Sequence, residues 1–228
     1  MNSTYTYFLI LAVSIAGPLG LSFDKKVAFY KKWKYLFPAM LLPAAFYIVW
    51  DIWFTHLGVW SFNPAYITNI KLINLPIEEV LFFFLVPYCC TFIYECLLCY
   101  FPNIPNGKTS DRILMGLGLL SFIAGLFLYN KYYSGYTFTL LGVFIGALFL
   151  FRSYFRSFKT GHFLVAYAVI LIPFLVVNGF LTAIPVVLYN DAENLGIRIY
   201  TIPFEDTFYG MLLVLMNIAI YEKLRNRV

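Results

Sequence analysis

Seven apolar runs, separated by loops of which those at 55–75 and 183–202 are long, limit what this chain can fold into. They cover residues 5–21, 35–54, 76–100, 113–130, 136–151, 163–182 and 203–221. A helix needs about 17–25 residues to cross the hydrocarbon core of a bilayer. Inside lipid only helices and closed barrels satisfy their own backbone hydrogen bonds. The expected fold is therefore an all-α polytopic membrane protein with about seven transmembrane helices. Composition agrees, since 62% of the residues are hydrophobic and 12% are charged, against about 25% charged in soluble domains. The N-terminus has no basic leader, so the first run reads as a span and not as a cleaved signal peptide.

The basic residues orient the chain. The loop after the first run holds Lys25, Lys26, Lys31, Lys32 and Lys34, and the loop after the third holds Lys108 and Arg112. Arg152, Arg156 and Lys159 follow the fifth run, and Lys223, Arg225 and Arg227 form the tail. The other side keeps only Lys71, Lys131 and Arg198. The positive-inside rule then places the N-terminus outside and the C-terminus in the cytoplasm. The expected location is a bacterial inner (cytoplasmic) membrane. The net charge of +5 sits in short loops between spans and does not suggest nucleic-acid binding.

The chain repeats itself at an offset of 127 residues. Asn74-Leu75-Pro76-Ile77-Glu78-Glu79 is matched by Thr201-Ile202-Pro203-Phe204-Glu205-Asp206. The same register pairs Asp51 with Asn178, Phe62 with Tyr189, Asn63 with Asn190 and Lys71 with Arg198, and it pairs Ile93-Tyr94-Glu95 with Ile220-Tyr221-Glu222. Leu and Phe match by chance in any apolar chain, whereas Asn, Pro, Glu and a basic residue in one register do not. Self-similarity at a fixed period marks a duplicated architecture. The expected organisation is a first repeat over 1–107, a connector helix over 108–131 and a second repeat over 132–228. Each repeat would hold three spans, and the two would be parallel, because one connector helix restores the direction of the chain.

Each copy of the motif places a proline and two carboxylates at the mouth of an apolar helix. Proline suits the first helical position, and the acids meet the unpaired N–H groups and positive dipole end of the first turn. Ionisable groups at membrane depth mark candidate sites. Glu78, Glu79, Glu205 and Asp206 are the candidate catalytic residues. Burial and mutual repulsion favour their neutral forms, whereas the helix N-terminus favours the ionised forms, so a mixed set is expected. Such a set can supply both an acid and a base. Adjacent helical residues point about 100° apart, so one acid of each pair should face the pocket. Glu78 and Glu205 are favoured because they are identical, with Glu79 and Asp206 supporting them.

Asp51, Trp60, Asn63, Phe82, Asn178, Asn190 and Tyr209 are the candidate substrate-binding residues. They are the repeat-matched polar groups, the turn segments ahead of the motif helices and the aromatic rings that follow the acids. Aromatic faces attract cations. Lys71 and Arg198 read as headgroup anchors or as charges that balance the acids, His56 and His162 as polar residues near span ends, and Pro43 and Pro173 as points where their helices should kink or break. Cys89, Cys90, Cys96 and Cys99 lie in one predicted helix and read as packing residues, so no metal is expected.

The duplicated Pro-x-Glu-Glu and Pro-x-Glu-Asp, with Trp60-Ser61-Phe62-Asn63 and Asn178-Gly179, resembles the membrane-integral carotenoid (lycopene) cyclases. These occur as two small subunits or as one fused chain, and this chain is similar to the fused form over nearly its whole length. The resemblance implies a lipid-soluble carotenoid substrate taken from the bilayer. It also implies proton-initiated, redox-neutral closure of linear ψ-ends to rings, most commonly β-rings, through a carbocation. No cofactor is expected: Gly116-Leu117-Gly118 lies inside an apolar run and lacks the third glycine of a dinucleotide fingerprint. The two repeats could form one shared site or one site each, and a homo-oligomer is left open. The rival reading is a small proton-coupled transporter, which the clustering of the acids at one depth disfavours.

Overall fold

The structure, a computed structural model, describes residues 3–226; Arg227 of the basic tail lies outside them. Seven helices make up the bundle: α1 (Thr6–Leu21), α2 (Trp33–Leu57), α3 (Ile77–Tyr100), α4 (Lys108–Phe127), α5 (Tyr132–Leu150), α6 (Thr160–Ala183) and α7 (Asp206–Arg225). Six of them, α2 to α7, are long and apolar enough to cross a membrane, and α1 is a shorter apolar helix. The fifth apolar run lies in a helix of 19 residues, because Tyr132-Tyr133-Ser134-Gly135 joins it at the N-terminal end. The fold is that of an all-α polytopic membrane protein.

Helix α2 continues through Pro38 and Pro43, and α6 continues through Pro173, so these prolines do not break their helices. A spanning helix tolerates proline where neighbouring helices and local adjustment satisfy the freed backbone groups. Pro76 is not the first helical residue either. It is extended (φ −60°, ψ 146°) and immediately precedes Ile77, because it pairs with Lys71 in a small hairpin and the Ile77 N–H donates to Ile70 O at 2.9 Å.

The loops ahead of α3 and α7 are built alike. Strands β2 (Lys71–Leu72) and β3 (Leu75–Pro76) form one hairpin, and β5 (Arg198–Ile199) and β6 (Ile202–Pro203) form the other with the same register. Both tips use a non-glycine residue at positive φ, Ile73 and Tyr200, each at 60°. The Asn63 side chain accepts from Ala65 N and that of Asn190 from Ala192 N, both at 3.1 Å, which makes the same turn twice. Between the loops, β1 (Trp60–Phe62) pairs antiparallel with β4 (Val187–Tyr189), with Ser61 opposite Leu188. Those two residues are 127 apart, so the strand pair joins equivalent segments of the two copies.

Helix α7 runs through the centre, with every residue from Gly210 to Ala219 buried. At the end of the bundle far from the hairpins, about 24 Å along α3 from the acids, Tyr94 donates to Glu222 at 2.9 Å and Tyr221 donates to Glu95 at 2.8 Å. Each tyrosine bonds the glutamate of the other copy. Lys32 and Arg225 pair with Glu95, and Arg225 also reaches Glu222 at 3.7 Å. These pairs cross-link α3 and α7 where buried charge would otherwise be costly.

Helices α4 and α5 pack closely enough to require glycine. A Cβ at Gly142 would lie 2.6 Å from Phe122 Cβ and 2.7 Å from Gly118 O. Backbone atoms cannot swing away, so Gly142→Ala is expected to destabilise the protein by about 1–3 kcal/mol through overpacking. A lowered unfolding midpoint in detergent, with ligand-free protein, measures it.

Candidate active site

The hairpin loops and helix mouths bring the carboxylates together at one depth, where the two motif acids of each pair divide their work. Glu78 and Glu205 turn back into the loops. Glu78 Oε1 accepts from Thr68 N at 2.7 Å, and Glu205 Oε1 accepts from Leu195 N at 2.8 Å and from the Ser134 hydroxyl at 2.5 Å. Both residues are fully buried, and both tie the loop ten residues upstream to the start of the motif helix. A buried backbone N–H left without an acceptor is costly, so these acids carry a structural load. The expectation that Glu78 and Glu205 face the pocket is reversed.

Glu79 and Asp206 face a small cavity of about 40 Å³ between the two halves. Asp51, Trp60, Phe82, Asn178 and Tyr209 line it with them, as do Tyr7, Tyr133 and Tyr189. Seven of the eleven residues singled out in the sequence thus meet at one place. Glu78, Glu205, Asn63 and Asn190 do not, because the first two hold the loops and the asparagines build the turns. Lys71 and Arg198 also stay out of the lining. Arg198 instead pairs with Asp191 and donates to Thr201 O at 2.7 Å.

Three tyrosines that were not among the candidate residues hold these acids. The Tyr7 hydroxyl donates to Glu79 Oε2 at 2.5 Å. Tyr133 donates to Asp206 Oδ1 at 2.5 Å and Tyr189 to Asp206 Oδ2 at 3.0 Å. Burial first, and the adjacent Asp206 second, hold the Tyr189 hydroxyl well above the ordinary phenol range, so it remains a donor. Tyr189 carried a weak signal, as the partner of Phe62 in the repeat. Tyr7 and Tyr133 carried none, because at the offset of 127 they fall opposite Ser134 and Thr6. Asp51 differs from the other acids of the cavity: it is 2% exposed, and its Oδ2 has no hydrogen-bond partner among the described residues.

A second, larger cavity adjoins the first. It holds about 400 Å³ between α1, α3 and α6 and is almost wholly apolar, with Leu11, Ser14, Cys90 and Val177 among its walls. Phe82, Phe174 and Asn178 line both cavities, so the apolar groove meets the carboxylates directly. Its outer wall includes Ile172 and Val176, which are 68% and 54% exposed on the lipid-facing side of α6. The volume falls within the range of ordinary ligand sites, roughly 300–1,000 Å³. Cys89 and Cys90 are groove residues, and no cluster of potential metal ligands occurs among the described residues.

A family model described as lycopene cyclase matches residues 2–97 and 130–224, one segment for each copy of the motif. No curated protein and no solved structure matches the chain.

Proposed function

The chain belongs to the lycopene cyclase family, and from that membership we propose that it closes β-ionone rings on the linear ends of lycopene by acid–base chemistry alone. The observation that carries the reading is the contact between an apolar groove and a carboxylate cavity, which share Phe82, Phe174 and Asn178. A very apolar chain enters sideways from the bilayer, and its end reaches the acids.

Asp51 donates a proton to the terminal double bond, since it is buried and its Oδ2 makes no hydrogen bond among the described residues. The resulting tertiary carbocation is attacked by the neighbouring internal double bond. A carbon–carbon single bond forms, and the positive charge moves onto the ring. Asp206 then removes the proton from the ring-junction carbon, leaving the β-ring double bond. Asp206 suits this role because two tyrosine hydroxyls stabilise its carboxylate. Glu79, held by Tyr7, offsets the cationic charge, and the rings of Trp60 and Tyr209 face it without offering a nucleophile. One proton is added and one is lost, so the reaction is an isomerisation that consumes no electrons. Positioned proton transfer of this kind contributes typically about 10²–10⁴-fold.

The same reading assigns 1–107 and 132–228 as cyclase repeats joined by 108–131. It also sets the N-terminus outside and the C-terminus in the cytoplasm of a bacterial membrane. The test is purified protein in liposomes containing lycopene, with no nicotinamide or flavin added and the pigments separated by chromatography. The expected result is one- and two-ring products with β-rings. Lycopene left unconverted by folded protein overturns the reading.

A further inference from the structure

An exact duplication would build two apolar grooves, one per repeat, but the residues that would line the second are larger. At the offset of 127, the groove residues Phe82, Phe174 and Val177 correspond to Tyr209, Tyr47 and Trp50. The last three pack together. Tyr47 and Tyr209 have ring centroids 4.8 Å apart, Trp50 and Tyr209 lie at 5.1 Å, and the Tyr47 hydroxyl donates to Tyr209 O at 2.8 Å. Tyr47 is fully buried and Trp50 is 4% exposed. Small residues of the open groove are likewise replaced by larger ones, Ser14 by Leu141 and Cys90 by Asn217. At the polar end the carboxamide of Asn178 answers the carboxyl of Asp51, and both line the one cavity.

Building on the cyclase reading, we propose that only the α1–α3–α6 groove admits substrate, and that Tyr47, Trp50 and Tyr209 form a specificity-determining wall that closes its repeat-related counterpart. The protein then has one productive site, shared by both repeats, and it works on one carotenoid end at a time. A conjugated polyene is stiff, so its second end cannot bend back into the same cavity. The one-ring product has to leave through the groove, turn over in the bilayer and enter again by its other end. The protein must therefore both supply and consume a free one-ring carotenoid.

Two measurements on reconstituted protein test this. In a time course with lycopene in molar excess, the one-ring pigment is expected to exceed the amount of protein before the two-ring pigment accumulates. Two-ring product formed while the one-ring pigment never exceeds the protein overturns the proposal. The variant Ser14→Trp, on the half-buried face of α1, obstructs the open groove. It is expected to slow both ring closures together, by about tenfold or more, with the wild-type unfolding midpoint retained. A folded Ser14→Trp protein that closes the first ring at the wild-type rate has another entrance, and this too overturns the proposal. Neither outcome touches the cyclase reading, which fails only if the wild type leaves lycopene unconverted.

Discussion

Asp206→Asn is expected to lower the rate of lycopene cyclisation by about 10²–10⁴-fold while the protein stays folded. The amide keeps the shape of the side chain, and its oxygen still accepts one tyrosine hydroxyl, but it cannot take a proton from the ring. Glu79→Gln should act in the same direction through loss of the charge that faces the cation. The informative contrast is with the adjacent acids. Glu78→Gln and Glu205→Gln keep an oxygen for the backbone N–H groups of Thr68 and Leu195, so their turnover should fall less than about tenfold. Truncation to alanine removes those acceptors and should cost about 1–3 kcal/mol of stability. Pigment turnover and unfolding midpoints for the six variants decide the matter. Activity retained by Asp206→Asn and abolished by Glu78→Gln would exchange the roles assigned to the two acids.

The largest expected effect on stability lies at the other end of the helices. Glu95 is 1% exposed and receives Lys32, Arg225 and the Tyr221 hydroxyl. Glu95→Ala leaves these groups without their shared acceptor, and removing one partner of a buried ion pair costs about 3–5 kcal/mol. A drop of this size should appear as a lowered midpoint in denaturant titration of detergent-solubilised protein. The folded fraction should still turn over lycopene, since no residue of this cluster lines either cavity. An unchanged midpoint would mean that the cross-links between α3 and α7 contribute nothing beyond packing. The double variant with Arg225→Ala should lose less than the sum of the two single losses, because the residues share one network.

The polar positions of the repeat were legible before any coordinates because polar groups are costly in lipid and occur only where something holds them. Asn63 and Asn190 build equivalent turns, Pro76 and Pro203 sit in equivalent hairpins, and Glu95 and Glu222 exchange equivalent tyrosines. Each was a matched pair in the chain, and each makes at least one equivalent contact in both copies. The run lengths and the charge of the loops likewise sufficed for a helical membrane bundle, since lipid leaves the backbone no other choice than a closed barrel.

What the chain alone left open was rotation and reach. Helix α3 is apolar on every side, so nothing in its pattern says whether Glu78 or Glu79 turns inward; the hydrogen bond from Thr68 to Glu78 decides it. The tyrosines that hold Glu79 and Asp206 lie on other elements, with Tyr7 72 residues from Glu79. Their importance depends on which helix packs beside which. The open groove and its closed counterpart differ only in the bulk of facing side chains, which has meaning once the helices are in register. Sequence periodicity and the cost of polarity in lipid determined that the protein is a duplicated bundle with acids at one depth. Tertiary packing alone decided which acids face the cavity, which hydroxyls hold them and which groove is open, because these depend on distances between segments that are remote along the chain.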